Sequence, residues 1–114
     1  MIEFWHNPRC SKSRQALALL QDRGAQVDLR LYLADTPSPE AIAQARAALG
    51  QPPVIDMMRP GEKRFKELGL SKTDDDATLL AAMAANPILI ERPLAISGDR
   101  AVIGRPPERV LDLL

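Results

Sequence analysis

The segment His6-Asn7-Pro8-Arg9-Cys10-Ser11-Lys12-Ser13-Arg14 holds the only cysteine and the only histidine of a 114-residue chain. A free thiol titrates near about 8.5 and only the thiolate is a strong nucleophile, so a reactive cysteine needs surroundings that favour negative charge. This segment offers several. Ser13, Ala16, Leu17 and Leu20 fall on one helical face with Gly24 as terminator, which places Cys10 at a helix start where unpaired N–H groups stabilise an anion. Ser11 and Ser13 supply hydroxyls, Lys12 and Arg14 supply charge, and His6 lies within reach of the loop or the sulfur. Blander readings stand beside this one: a lone cysteine is often core filler, a histidine at a strand end is often structural, and basic residues in a first helical turn are usually solvated. The polar loop around Cys10 favours the reactive thiol.

Position 13 sets the kind of redox chemistry. A second cysteine there would resolve a mixed disulfide within the chain, but Cys-Ser-Lys-Ser has serine instead. Product release therefore requires an external thiol. With one cysteine no internal disulfide forms, and no metal site is expected.

The elements that must position this thiol are legible from pattern. Residues 2–6 read as a strand ended by Asn7-Pro8, and residues 27–33 alternate as a half-buried strand. With the intervening helix they make a right-handed parallel β-α-β unit. Ser38 and Pro39 start a second helix that runs toward Gly50. Residues 54–85 read as short helices without strand signal, broken at Arg59-Pro60-Gly61, at Gly69 and at the capping cluster Asp74–Asp76. Leu94–Ser97 and Arg100–Ile103, joined by Gly98-Asp99, read as an antiparallel hairpin. A last helix opens at Arg105-Pro106-Pro107-Glu108 and turns Val110, Leu111 and Leu114 inward. The expected fold is α/β: a thioredoxin-like mixed four-stranded sheet (β-α-β, a helical insertion at about 52–86, then β-β-α) flanked by helices in a single domain, 1–114.

Composition narrows the partners. Fifteen basic residues balance fifteen acidic ones, so no global field draws the chain to nucleic acid or to a membrane surface. No apolar run approaches a membrane span and the N-terminus does not read as a signal peptide, which predicts a cytoplasmic protein.

The chain resembles the glutaredoxin-coupled arsenate reductase family in four ordered blocks. These are His6–Arg14, Met58-Arg59 with Lys66–Leu70, Asn86–Pro93, and Val102–Glu108 with Val110-Leu111. The resemblance implies that Cys10 is the nucleophile and that Arg59, Arg92 and Arg105 hold an oxyanion. It also implies that His6, Ser13 and Arg14 tune the thiolate, and that Pro93 is the cis-proline of thioredoxin-like folds. Taken one by one, each of those arginines precedes a proline at an element edge and reads as an ordinary surface residue. The implied activity is reduction of arsenate, or a similar oxyanion, to arsenite by a single cysteine. Glutathione would be the co-substrate and glutaredoxin the partner, with no tightly bound cofactor, in a monomer. Two other functions fit parts of the pattern: a general glutathione-dependent thiol-disulfide oxidoreductase, and a Spx-like transcriptional regulator that binds RNA polymerase. The missing second cysteine removes the latter's disulfide switch.

Overall fold

The computed structural model describes all residues, Met1–Leu114. Strand β1 (Ile2–Trp5) lies at the centre of a four-stranded sheet of order β2-β1-β3-β4. It pairs in parallel with β2 (Val27–Arg30), from Ile2 opposite Val27 to Trp5 opposite Arg30. On its other side it runs antiparallel to β3 (Leu94–Ser97), which continues antiparallel to β4 (Arg100–Ile103). Gly98, at φ +61, supplies the left-handed residue that the two-residue hairpin turn requires.

Alternation along the central strands feeds two cores. Ile2 and Phe4, with Ala95, face helix α1 (Ser11–Asp22) through Ala16 and Leu20, and they also meet Val110 and Leu113. Trp5 and Leu94 point the other way, onto Ile42 and Ala45 of α2 (Pro39–Ala48) and onto Leu79 and Met83 of α4 (Asp76–Ala85). Burying a side chain such as Phe4 or Leu20 contributes roughly 1.5–3 kcal/mol, so helices cover both faces of the sheet. The caps are local. Ser38 Oγ accepts the Ala41 N–H at 3.0 Å, and Asp75 Oδ1 accepts the Thr78 N–H at 2.7 Å.

Between α2 and β3 lie a 3₁₀ turn (Val54–Met57), the short α3 (Lys63–Glu67), α4 and a second 3₁₀ turn (Pro87–Leu89). Where the sequence suggested no strand pairing, one antiparallel bridge joins Met58 to Ile90. Its flanks carry the Arg59 N–H to the Leu89 carbonyl at 2.9 Å and the Glu91 N–H to the Met57 carbonyl at 2.8 Å. This bridge sets Arg59 beside Glu91.

Two expectations need correction. The alternation over 27–33 yields a strand of only four residues, because β2 is an edge strand whose partner β1 ends at Trp5. The chain then turns, with the Ala34 and Asp35 N–H groups both on the Leu31 carbonyl, so the phase changes. Leu31 and Leu33 stay exposed, and Tyr32 is completely buried. The last helix, Pro107–Leu113, is 3₁₀ rather than α. At three residues per turn, Pro107, Val110 and Leu113 share the inward face, and Leu114, expected inside, is exposed.

Gly104 joins β4 to that last helix against the loop of Pro93, whose carbonyl accepts the Gly104 N–H at 2.9 Å. A Cβ at position 104 would stand 2.7 Å from Pro93 Cγ and 3.0 Å from Val110 Cγ1. Gly104→Ala is expected to lower stability by about 1–3 kcal/mol, the usual range for overpacking. Urea unfolding checks this, and a change of only a few tenths would contradict so tight a fit.

Candidate active site

The Cys10 loop is built by its own backbone. The Asn7 carbonyl accepts the Cys10 N–H at 3.0 Å, and Asn7 Oδ1 accepts the Arg9 N–H at 3.0 Å, closing a turn that delivers Cys10 to the N-cap of α1. Ser13 fastens this turn to the helix. Its Oγ accepts the Asn7 N–H at 3.1 Å and lies 2.7 Å from His6 Nδ1, with the donor in that pair depending on the imidazole tautomer. Ser13 and His6 are both buried, so the serine hydroxyl is engaged in holding the loop rather than in donating to the sulfur. Burial, and then the charge of Arg14, hold His6 below its ordinary pKa, which keeps the imidazole neutral at pH 7. Arg14 itself donates to the Pro8 carbonyl at 2.8 Å.

What reaches the thiol is different from what the loop sequence suggested. Burial of Cys10 on its own raises the pKa. Against it act the Ser13 backbone N–H, the Arg92 and Arg105 guanidinium groups and the Lys12 backbone N–H, which together bring the thiol down to about 7. Arg105 Nη1 approaches Sγ at 3.9 Å. The helix start has no acidic residue in its first turn to compete for those N–H groups. His6, Arg14 and the Lys12 ammonium are not among the largest influences on the thiol.

The three arginines come from separate segments. Arg92 precedes β3 across a cis peptide bond to Pro93, and Arg105 precedes Pro106 across a second cis bond. Arg105 Nη1 also donates to the Arg92 carbonyl at 2.9 Å, which ties the two segments together next to the sulfur. Arg59 makes no bond to the sulfur. It joins the cluster through two carboxylates that the sequence reading did not single out. Arg59 Nε donates to Glu62 Oε1 at 3.1 Å and Arg59 Nη1 to Glu91 Oε1 at 2.9 Å. Glu62 Oε1 also receives Arg92 Nη1 at 3.3 Å, while Arg105 Nε lies 3.6 Å from Glu91 Oε1. The i, i+3 spacing of Arg59 and Glu62 was a signal open to sequence reading. Glu91 pairs with residues far from it along the chain, and only the fold reveals its role.

Two further donors belong to this region. The Tyr32 hydroxyl and Arg92 Nε are buried without a protein partner. The two clefts of the surface, one lined by Trp5, Gln44 and Gly98 and the other by Pro52, Asp56 and Arg109, do not include Cys10. The thiol thus stands on an open face, half-buried beside guanidinium groups, a geometry suited to attack on a small anion or exchange with another thiol.

The fold and the thiol define a thioredoxin-like protein with a single cysteine at the start of its first helix and arginines beside it. The chain belongs to the ArsC family, whose model matches residues 5–113. It is 44% identical over 114 residues to an arsenate reductase of Haemophilus influenzae, covering 99% of this chain and 98% of that one. It is also 40% identical over 115 residues to the uncharacterized protein YfgD of Escherichia coli, covering 99% and 96%. Among solved structures, an arsenate reductase from Vibrio cholerae superposes with a TM-score of 0.94 at 44% identity, covering 99% of this chain and 97% of that one.

The sign of the pH dependence follows from the lowered thiol pKa. Only the thiolate reacts, so the rate of Cys10 alkylation by iodoacetamide should rise with pH through a midpoint near about 7. Arg92→Ala and Arg105→Ala should each move the midpoint up toward the free-thiol value, and Glu91→Gln, which frees Arg105 from a carboxylate, should move it down. A wild-type midpoint near 8.5 would contradict the geometry.

Proposed function

We propose that this protein reduces arsenate to arsenite, with Cys10 as its nucleophile and glutathione and a glutaredoxin as its sources of reducing thiol. One observation carries the reading: the single cysteine, its pKa brought down to about 7, faces the guanidinium groups of Arg92 and Arg105 at a helix start. A thiolate and an oxyanion repel one another, and guanidinium groups placed beside the sulfur offset that repulsion and match the oxygens of a tetrahedral anion. The names carried by the relatives from Haemophilus influenzae and Vibrio cholerae support arsenate as the anion.

In the first step the Cys10 thiolate attacks arsenic, a sulfur–arsenic bond forms, and one arsenate oxygen leaves as hydroxide and takes a proton to become water. A glutathione thiolate then attacks Cys10 Sγ. The sulfur–arsenic electron pair stays on arsenic, which becomes trivalent and departs as arsenite, leaving a Cys10–glutathione disulfide. A glutaredoxin thiol takes the glutathionyl group and returns Cys10 to the thiol. Arg59, Arg92 and Arg105 hold the anion in this scheme, while His6, Ser13 and Arg14 support the loop that presents the sulfur. Phosphate has the same shape, so it binds without turnover and inhibits. A cytoplasmic location, where glutathione is kept reduced, suits this chemistry. No helix is long and apolar enough to cross a membrane.

A second reading, a general glutathione-dependent thiol-disulfide oxidoreductase, has one observation in its favour. Glu62 and Glu91 already occupy arginine N–H groups that an oxyanion would use. NADPH consumption coupled through glutathione reductase, glutathione and glutaredoxin separates the two. Arsenate should drive consumption in the wild type, Cys10→Ser should abolish it, and Arg59→Ala should lower kcat/KM for arsenate by at least about tenfold, the loss of roughly one charge-assisted hydrogen bond. Turnover of a glutathione mixed disulfide, with none of arsenate, would establish the second reading and sink the first.

A further inference from the structure

Tyr32 is the only tyrosine of the chain, and its side chain is completely buried. Its neighbours are not those of an ordinary core aromatic. The charges that bear on its hydroxyl are those of Arg92, Cys10 and Arg59, and the Asn7 side chain of the cysteine loop is near enough to interact weakly with its oxygen. No protein group stands within full hydrogen-bonding distance of the hydroxyl or of Arg92 Nε, and these are the only two buried side-chain polar atoms in the protein left so. A buried polar group without a partner is costly and rare, and each instance calls for an explanation. Here both instances are hydrogen-bond donors, and both belong to residues grouped with Cys10. Every other buried side-chain polar atom, including those of His6 and Ser13 in the adjacent network, is paired.

We propose that the Tyr32 hydroxyl is an oxyanion-contacting group, donating a hydrogen bond to one oxygen of the anion while Arg92 Nε donates to another. The inference rests on the oxyanion reading above and adds to it a neutral donor outside the four sequence blocks that carried the family resemblance. The turn after β2 explains how the residue arrives there. Because the strand stops at Arg30 and the chain turns on the Leu31 carbonyl, the phase inverts: Tyr32 is buried, while Leu31 and Leu33, which continued alternation would turn inward, stay exposed. Burial raises the hydroxyl pKa to about 12, so the group remains a protonated donor at every working pH. A donor of this kind complements the guanidinium groups: it adds a directional bond without adding charge, and it asks the ligand for an acceptor oxygen.

The test uses protection of Cys10 from iodoacetamide by arsenate, and separately by phosphate, in the full-length wild type and in Tyr32→Phe. Phenylalanine keeps the ring and removes only the oxygen. Without oxyanion, Tyr32→Phe should melt at the same temperature as the wild type or higher, since an unpaired hydroxyl is lost, and its alkylation midpoint should not move. The concentration of arsenate or phosphate giving half-protection should rise roughly ten- to a hundredfold, the range expected for one hydrogen bond to a charged ligand. Equal protection of the two proteins overturns the inference and leaves the oxyanion reading standing. Absence of protection in the wild type by either anion overturns both. A Tyr32→Phe protein that melts well below the wild type would show that the hydroxyl has a partner within the protein, which also overturns the inference. Should that variant not fold, the ¹³Cζ resonance of labelled tyrosine, single in this chain, decides in the wild type: it should shift on saturation with phosphate, and an unmoved resonance under conditions that protect Cys10 refutes the contact.

Discussion

Three guanidinium groups from distant parts of the chain gather on one face only because two carboxylates lie between them. Like charges a few ångströms apart repel strongly in a partly desolvated setting. Glu62 answers Arg59 and Arg92, and Glu91 answers Arg59 and Arg105, so each acid is shared and each arginine is held by at least one. Exposed ion pairs contribute little, but these side chains are mostly covered, from 14% exposure at Arg92 to 35% at Arg105, and they form a connected network rather than isolated pairs. The backbone supports the same arrangement. The Met58–Ile90 bridge fixes Arg59 beside Glu91, and the Arg105 bond to the Arg92 carbonyl fixes the third member.

The thiolate depends on that network. Half-burial works against a charged sulfur, and the backbone N–H groups at the start of α1 are one part of what offsets it. Arg92 and Arg105 supply the rest, and they can do so because Glu62 and Glu91 absorb only part of their hydrogen-bonding capacity. A guanidinium has five donors in a fixed fork, enough to hold a carboxylate on one edge and face an anion with another. The buried His6–Ser13–Asn7 network carries no charge to the sulfur. Its contribution is geometric: it fixes the turn that presents Cys10 at the end of the helix.

Most of the fold was legible because its signals are local. The hairpin at Gly98-Asp99, the Ser38 cap and the strand–helix–strand start each follow from a few adjacent residues whose preferences the tertiary structure does not oppose. Both misreadings extend a period that the chain does not keep. Alternation over 27–33 predicts faces only while a strand has a partner, and β2 loses its partner after Arg30. Leu114 was placed inside by an α-helical period, yet the chain closes at three residues per turn. The site was legible where chemistry is written in one segment, as at Cys10. Within that segment the sequence suggests the Ser13 hydroxyl and the Arg14 charge as partners of the sulfur; in the structure the Ser13 backbone N–H reaches it and Arg14 donates to the Pro8 carbonyl. Glu91 and Tyr32 could not be found by local reading, because what sets them near the arginines is a set of neighbours brought in from elsewhere by the sheet and its insertion.

The overlap between the groups that hold the sulfur and those placed to hold an anion has a kinetic consequence. A thiolate made stable by many donors is abundant at neutral pH but intrinsically less nucleophilic, because nucleophilicity falls with pKa. In the reaction proposed here, an arriving oxyanion competes with Cys10 for Arg92 and Arg105. As those guanidinium groups turn toward the anion's oxygens, the sulfur retains the helix N–H groups of Ser13 and Lys12, which keep it deprotonated, and gives up the bonds that made it least reactive. Substrate binding then raises the reactivity of the nucleophile in the same movement that brings the electrophile to it. A resting site whose donors were fully dedicated to the sulfur would lack this exchange, as would one whose arginines were saturated by carboxylates. The partial pairing seen with Glu62 and Glu91 leaves the guanidinium groups held in place and still able to change partners.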